Sequence, residues 1–173
     1  AQRSEVSRTT IRKFIEAMPD DSIKICDINL RLDYYTKAIV DKSIKMSNML
    51  KINDEEVIKI AKLFDWSGSE EEICRRLLQE YELRILILTK GTEGSYVFTP
   101  DLTSFLPSPR VHVADTVGAG DSFTAAFTAA YLNGQTVEEA HCLAAEVAAY
   151  VCQQHGAMPR LADSFVELFR DRG

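Results

Sequence analysis

The stretch ADTVGAGDSF, Ala114 to Phe123, sets three small residues, Gly118, Ala119 and Gly120, between two aspartates and then opens an apolar helical pattern. A helix start wants at most one capping side chain. Glycines placed there leave several backbone N–H groups unsatisfied and unshielded, aimed the same way at the positive end of the macrodipole. Such a turn is an anion cradle. It is not a Walker loop, because no Lys-Ser or Lys-Thr follows the second glycine, and it lacks the third glycine of a dinucleotide fingerprint. Asp121 beside the cradle would repel a bound phosphate unless the carboxylate has separate work on the group that attacks the phosphorus. Phosphoryl transfer asks for this layout, with amides neutralising charge on the transferred group and an acid orienting a hydroxyl and taking its proton. The plain alternative is that Asp115 or Asp121 caps a helix and the glycines make the turn.

Outward from that turn, apolar residues recur at three and four: Phe123, Ala126, Phe127, Ala130 and Tyr131, with NGQ ending the helix. TVEEAHCLAAEVAAYVC repeats the pattern behind a Thr136 to Glu139 capping box. Upstream, SEVSRTTIRKFIEAM is helical with Val6, Ile11, Phe14, Ile15 and Met18 on one stripe. Strands are expected at Ser22 to Asn29, at MLKIN and at Arg84 to Lys90, alternating with helices in YYTKAIVDKSIK, NDEEVIKIAKLF and SEEEICRRLLQEY. LADSFVELFRD reads as a last helix, and KGTEGSYVFTPDLTSFLPSPRVHV as extended pieces with turns, a hairpin or two. Buried strands alternating with helices indicate an α/β fold, a parallel sheet covered on both faces, with no linker dividing the chain.

Composition narrows the partners. The 173 residues are 46% hydrophobic and 27% charged, ordinary for a globular domain. Twenty Lys and Arg against 26 Asp and Glu leave a net charge of −6, a field that repels nucleic acid. Cys26, Cys74, Cys142 and Cys152 stand apart without a CxxC pair and read as reduced core residues of a cytoplasmic protein. With His112, His141 and His155 equally scattered, zinc spacing is absent. No run resembles a membrane span or a leader, and the chain opens on Ala rather than Met, as a processed chain or a piece of something longer would.

DTVGAGDSF resembles the C-terminal signature of the ribokinase-like, or PfkB-type, carbohydrate kinases, in which DTxGAGD precedes a long helix. The resemblance implies a ribokinase-like three-layer α/β/α fold with a mostly parallel sheet. It covers the whole chain, 1–173, as the C-terminal portion of a single such domain, so that the N-terminal strands and β lid are absent from this chain. It further implies an ATP-dependent sugar kinase, with Asp121 as general base and the Gly118, Ala119 and Gly120 amides as anion hole. Asp115 would then help hold an activating monovalent cation, commonly K+.

KINDEE offers Asn53 and Glu56 three apart, which local physics reads as a capping box. The resemblance adds that this N-x-x-E pair lies near Mg2+ and the phosphates, acting through water. In DINLR, Asp27 reads as organising the loop, and the resemblance implies that Asn29 and Arg31 approach the phosphate or sugar side; the plain reading of Arg31 is a surface pair with Asp33. In LTKGTEGS, Lys90, Gly91 and Gly94 match the nucleotide-binding stretch of the family, although G-x-x-G alone is only a turn. His155 and Gly156, in AAYVCQQHGAMP, would border adenine.

A fructokinase-like sugar substrate is the first expectation, with ribose, 2-keto-3-deoxygluconate and nucleosides open, and a homodimer is compatible with it. No nucleic-acid or membrane partner is expected. The alternative is a truncated, non-catalytic nucleotide-binding or assembly module, since a kinase half alone would lack its sugar pocket and turn over negligibly. A Rossmann dehydrogenase fails for want of the third glycine and of an acid after the next strand.

Overall fold

The order of elements follows the alternation in the sequence. In the computed structural model, which describes residues 2, 4–30 and 34–168, they run α1 (Glu5–Glu16), β1 (Ile25–Asp27), α2 (Lys37–Lys45), β2 (Met49–Asn53), α3 (Asp54–Phe64), α4 (Glu70–Glu80), β3 (Ile85–Thr89), β4 (Ser95–Phe98), β5 (Thr103–Leu106), α5 (Ala119–Leu132), α6 (Val137–Cys152) and α7 (Asp163–Glu167). The sheet order is β1-β2-β3-β4-β5. β1 and β2 are parallel, with Ile25 opposite Met49, Cys26 opposite Leu50 and Asp27 opposite Lys51. The α/β class with a mostly parallel sheet is as expected. Two compact units make up the chain: Ala1–Leu88 with Phe98–Leu102, and Thr89–Val97 with Thr103–Gly173.

In the first unit, Met49 to Ile52 and Ile85 to Leu88 are buried at every position, which a strand achieves only when both faces are covered. Ile44, Ile60 and Leu77 are fully enclosed around them, each removal from water stabilising by about 1.5–3 kcal/mol. Helices α2, α3 and α4 start on side-chain caps, while Ser4 before α1 makes none. Thr36 Oγ1 accepts from Ile39 N–H, and reciprocal capping boxes open α3 (Asn53, Glu56) and α4 (Ser69, Glu72), each cap being worth roughly 0.5–2 kcal/mol.

β1 is shorter than Ser22 to Asn29. Asn48 holds the preceding residues through its side chain, Oδ1 accepting from Lys24 N–H at 2.9 Å and Nδ2 donating to the Ser22 carbonyl at 2.8 Å. Beyond Asp27, one more bond joins Ile28 N–H to the Lys51 carbonyl, and Leu30 N–H then turns to Glu56. α1 forms as its periodicity demands, yet none of its residues is buried, with Val6 at 76% and Phe14 at 69% exposure.

In the second unit, α5 packs along α6, and α6 on β5. Buried alanines, Ala126 and Ala130 on α5 and Ala140 and Ala144 on α6, suit a close approach of the two backbones. The Thr136 to Glu139 capping box is present as expected. β4 and β5 are joined by a turn in which Thr99 N–H donates to the Leu102 carbonyl, which realises the expected hairpin. Inward Ser95 and Ser104 alternate with Tyr96 and Phe105, whose rings pack at 4.6 Å. Of the four cysteines, all free, only Cys74 is buried; Cys142 is exposed, because its position on α6 falls opposite the Ala140–Ala144–Val147 stripe. No helix of the described residues is long and apolar enough to cross a membrane.

Candidate active site

α5 opens as the glycine-rich turn requires. Gly118 is its N-cap residue at φ +85°, a left-handed conformation that costs an alanine about 1–2 kcal/mol. A Cβ on Gly118 would also lie 2.9 Å from Ala157 Cα and closer still to the Ala157 carbonyl oxygen, so only glycine lets the two loops meet. Ala119 N–H donates to the Thr116 carbonyl at 3.3 Å and Ser122 N–H to the Gly118 carbonyl at 2.8 Å. Among the described residues, no acceptor meets the N–H groups of Gly118, Gly120 or Asp121. The Asp121 carboxylate is exposed and has no hydrogen-bond or ion-pair partner among them. Free amides and a free acid therefore share the first turn of one helix, and neither is consumed by the fold.

Asp115 is used differently. Its Oδ1 accepts from Val117 N–H at 3.0 Å and its Oδ2 from Gly156 N–H at 3.2 Å. These amides, first Val117 and then Gly156, hold the carboxyl below its ordinary range, with the His155 ring adding a smaller pull. The Cys152 carbonyl accepts from both Ala114 N–H (2.8 Å) and Asp115 N–H (3.2 Å). Asp115 thus pins the segment leaving α6 to the turn before α5, which brings His155 and Gly156 beside it. Both Asp115 oxygens already accept from backbone amides, so only the lone pairs left over could meet a cation.

The Lys90–Gly94 stretch closes on itself. Lys90 N–H donates to the Gly94 carbonyl at 2.8 Å, and Glu93 N–H to the Lys90 carbonyl at 3.0 Å around a 3-10 turn at Gly91–Glu93. Ser108 Oγ–H donates to the Gly91 carbonyl, and Lys90 Nζ lies 2.8 Å from Glu93 Oε2. Gly94, at φ +134°, sits so near Pro107 Cα, 3.0 Å from where a Cβ would stand, that a side chain is excluded.

In the first unit, the ends of β1 and β2 carry the other candidates. Asn53 Oδ1 accepts from Glu56 N–H (2.9 Å) and Glu56 Oε2 from Asn53 N–H (3.0 Å), while Glu56 Oε1 accepts from Leu30 N–H (3.2 Å). Glu56 is 5% exposed, and desolvation raises its pKa against the pull of those amides. With both oxygens committed to the backbone, Glu56 is poorly placed as a direct metal ligand, whereas lone pairs left over suit a metal-bound water. Asn29 adjoins this loop and lines, with Asp27, a cavity of about 480 Å³. Arg31 and Asp33 lie outside the described residues.

Sequence reasoning missed Lys51, which is 7% exposed with its Nζ 3.2 Å from Asp27 Oδ1. The signal was a single cation inside the apolar run MLKIN: a buried lysine needs a paired acid, and parallel register supplies Asp27 opposite.

The chain has relatives among known proteins. The model of the pfkB family carbohydrate kinases matches residues 4–163. A nucleoside kinase from Methanocaldococcus jannaschii is 29% identical over 133 residues, 75% of this chain and 41% of its own. A probable fructokinase from Arabidopsis thaliana is 28% identical over 171 residues, 91% of this chain and 52% of its own. The crystal structure of an uncharacterized sugar kinase from Pyrococcus horikoshii in complex with ATP superposes with a TM-score of 0.74 at 27% identity, over 91% of this chain and 51% of that one. The chain thus spans about half the length, or less, of these relatives. A family match running through both the Asn53–Glu56 cap and the Gly118–Asp121 turn leaves one assignment: the chain belongs to the pfkB family of carbohydrate kinases.

Proposed function

We propose that this chain is the C-terminal portion of a single ribokinase-like kinase domain that transfers the γ-phosphoryl group of ATP to a sugar hydroxyl, with a fructokinase-like substrate as first choice. One observation carries the reading: among the described residues, Asp121 and the neighbouring amides of Gly118 and Gly120 have no internal partner on one helix turn. In the proposed reaction the hydroxyl proton passes to the Asp121 carboxylate and the alcohol oxygen bonds to the γ-phosphorus. The bond from that phosphorus to the bridging oxygen breaks, and ADP leaves. The helix-start amides donate to the equatorial oxygens, where charge accumulates. Proton acceptance of this kind contributes ~10²- to 10⁴-fold in rate.

Lys90, Gly91 and Gly94 lie along the nucleotide, and His155 and Gly156 border its base. Asn29 and Arg31 are assigned to the phosphate or sugar side of the substrate. Mg2+ would be held through water by Asn53 and Glu56, and K+ by Asp115 with nearby carbonyls; both ions would supply positive charge that offsets the phosphates. The nucleoside kinase and fructokinase relatives support nucleosides and fructose as acceptors, and ribose and 2-keto-3-deoxygluconate complete the panel to be assayed.

The test is Asp121→Asn beside the parent, in the natural protein that carries this chain, with ATP and that panel. The expected result is a kcat lowered by at least ~10²-fold with ATP affinity nearly unchanged. Equal turnover removes the mechanism. The alternative, a truncated non-catalytic nucleotide-binding or assembly module, would bind nucleotide without turnover in that same assay. The mass and N-terminal sequence of the native protein separate the two.

A further inference from the structure

α6 carries a histidine that the proposed reaction does not use. His141 has no solvent exposure, and both ring nitrogens are engaged: Nε2 lies 2.8 Å from Ser95 Oγ on β4 and Nδ1 lies 2.8 Å from Ser104 Oγ on β5. Its ring also meets the edge of Phe123 at 5.9 Å. A neutral imidazole offers one donor and one acceptor, so one serine hydroxyl donates to the ring and the other accepts from it. Burial alone pushes its pKa down to about 4, so the ring is neutral near pH 7.

An apolar side chain in this volume would leave the Ser95 and Ser104 hydroxyls without the partner they now have. A buried imidazole between two hydroxyls gains direction instead, because hydrogen bonds fix orientation where dispersion contacts do not. The residues it fixes are not arbitrary. Ser95 immediately follows Gly94, whose carbonyl closes the loop by accepting from Lys90 N–H at 2.8 Å. Phe123 stands two residues after Asp121 on α5. One ring therefore touches the exit of the Lys90–Gly94 loop and the first turns of the helix bearing the acid.

We propose that His141 is a positioning residue, which through Ser95 holds the Lys90–Gly94 loop in the closed form that receives a nucleoside triphosphate. That the loop's ligand is a nucleotide rests on the function proposed above. That the ring holds the loop does not.

Two readouts separate these. In the natural protein carrying this chain, Ser95→Ala, His141→Phe and the more conservative His141→Gln are compared by residue-resolved amide hydrogen exchange and by ATP kinetics. Ser95→Ala deletes one oxygen, which keeps the test open should His141→Phe fail to fold. Loss of one directing hydrogen bond is expected to speed exchange at Lys90 and Glu93 about five- to tenfold, with Leu86 and Ile87 unchanged. KM for ATP rises by a similar factor while kcat stays within about twofold, and His141→Gln recovers part of both. Unchanged exchange at Lys90, or equal acceleration at every amide, overturns the positioning role whatever ATP does. Faster local exchange with an unaltered KM for ATP upholds the positioning role and refutes the nucleotide assignment of the loop.

Discussion

Replacing Gly118 by alanine tests the close approach on which the turn depends, and Gly156→Ala provides its control. Both glycines lie in the left-handed region, at φ +85° and +87°, but a Cβ at Gly156 meets nothing within 4 Å, whereas at Gly118 it stands 2.9 Å from Ala157 Cα. The conformational cost is common to both: about 1–2 kcal/mol for alanine at positive φ, reduced by ~0.4–1 kcal/mol from the stiffer unfolded chain. A net loss near 1 kcal/mol lowers Tm by ~2–4 °C for a chain of this size, and Gly156→Ala should show that alone. Gly118→Ala must also part the two segments, from 2.9 Å to the ~3.5–4.0 Å of ordinary carbon contact, a displacement of about 0.6–1.1 Å. Its Tm loss should be at least double. A misplacement near 1 Å in a positioning element can cost ~10²-fold in rate, so kcat should fall by about that factor in Gly118→Ala and little in Gly156→Ala. Thermal unfolding and steady-state kinetics on the two variants suffice. Equal Tm losses with equal kcat would refute the claim that the Ala157 backbone fixes the anion cradle.

Other expectations follow from the titratable groups. The folded pKa of His141, about 4 against 6.5 for the free side chain, means that the native state binds fewer protons between those values, so stability is full above pH 6.5 and is lost as pH falls toward 4. Urea titrations at stepped pH should show this slope in the parent and not in His141→Gln. Glu56 has the opposite sign: its raised pKa gives a contribution present below its ordinary value of 4.5 and lost as pH rises through the folded value. Glu56→Gln removes that pH term but turns an amide NH2 toward the N–H of Leu30 or Asn53, and should destabilise by ~1–3 kcal/mol near pH 7 for the unpaired donor; a neutral or stabilising outcome would show that the carboxylate's bonds to those amides are dispensable. Under native conditions a thiol reagent should modify exposed Cys142 slowly, since partial burial and then Glu146 raise its pKa, and leave Cys74, pushed up to about 12 by burial, untouched. Mass spectrometry of labelled peptides reads this directly.

Local chemistry was legible in the sequence wherever a few neighbouring residues decide it. The capping boxes at Asn53–Glu56 and Thr136–Glu139, the continuous apolar run of β3 and the glycine turn before α5 each depend on residues within four of one another. The family signature in DTVGAGDSF is of this kind too. Residues whose role depends on distant partners were misjudged or passed over. Lys51 reads as an ordinary strand lysine until register sets Asp27 opposite, 24 residues away. His141 seemed one more scattered histidine, though its partners lie 46 and 37 residues upstream. β1 was drawn too long because the residues before it are tied to Asn48 by its side chain and to Asn48 and Met49 only through the Lys24 carbonyl, without a continued ladder.

The chain by itself determined the alternation of helices and strands, the points where helices start, and the placing of an acid beside bare amides on one turn, because these are matters of backbone geometry over a single turn or strand. Only the tertiary structure decided which carboxylates are spent and which are free. Asp115 and Glu56 are bound to amides of Gly156 and Leu30, far off in sequence, whereas Asp121 is bound to nothing described. Hydrogen-bond capacity is claimed by whatever group folding brings near, and that cannot be read from the acid's own neighbours.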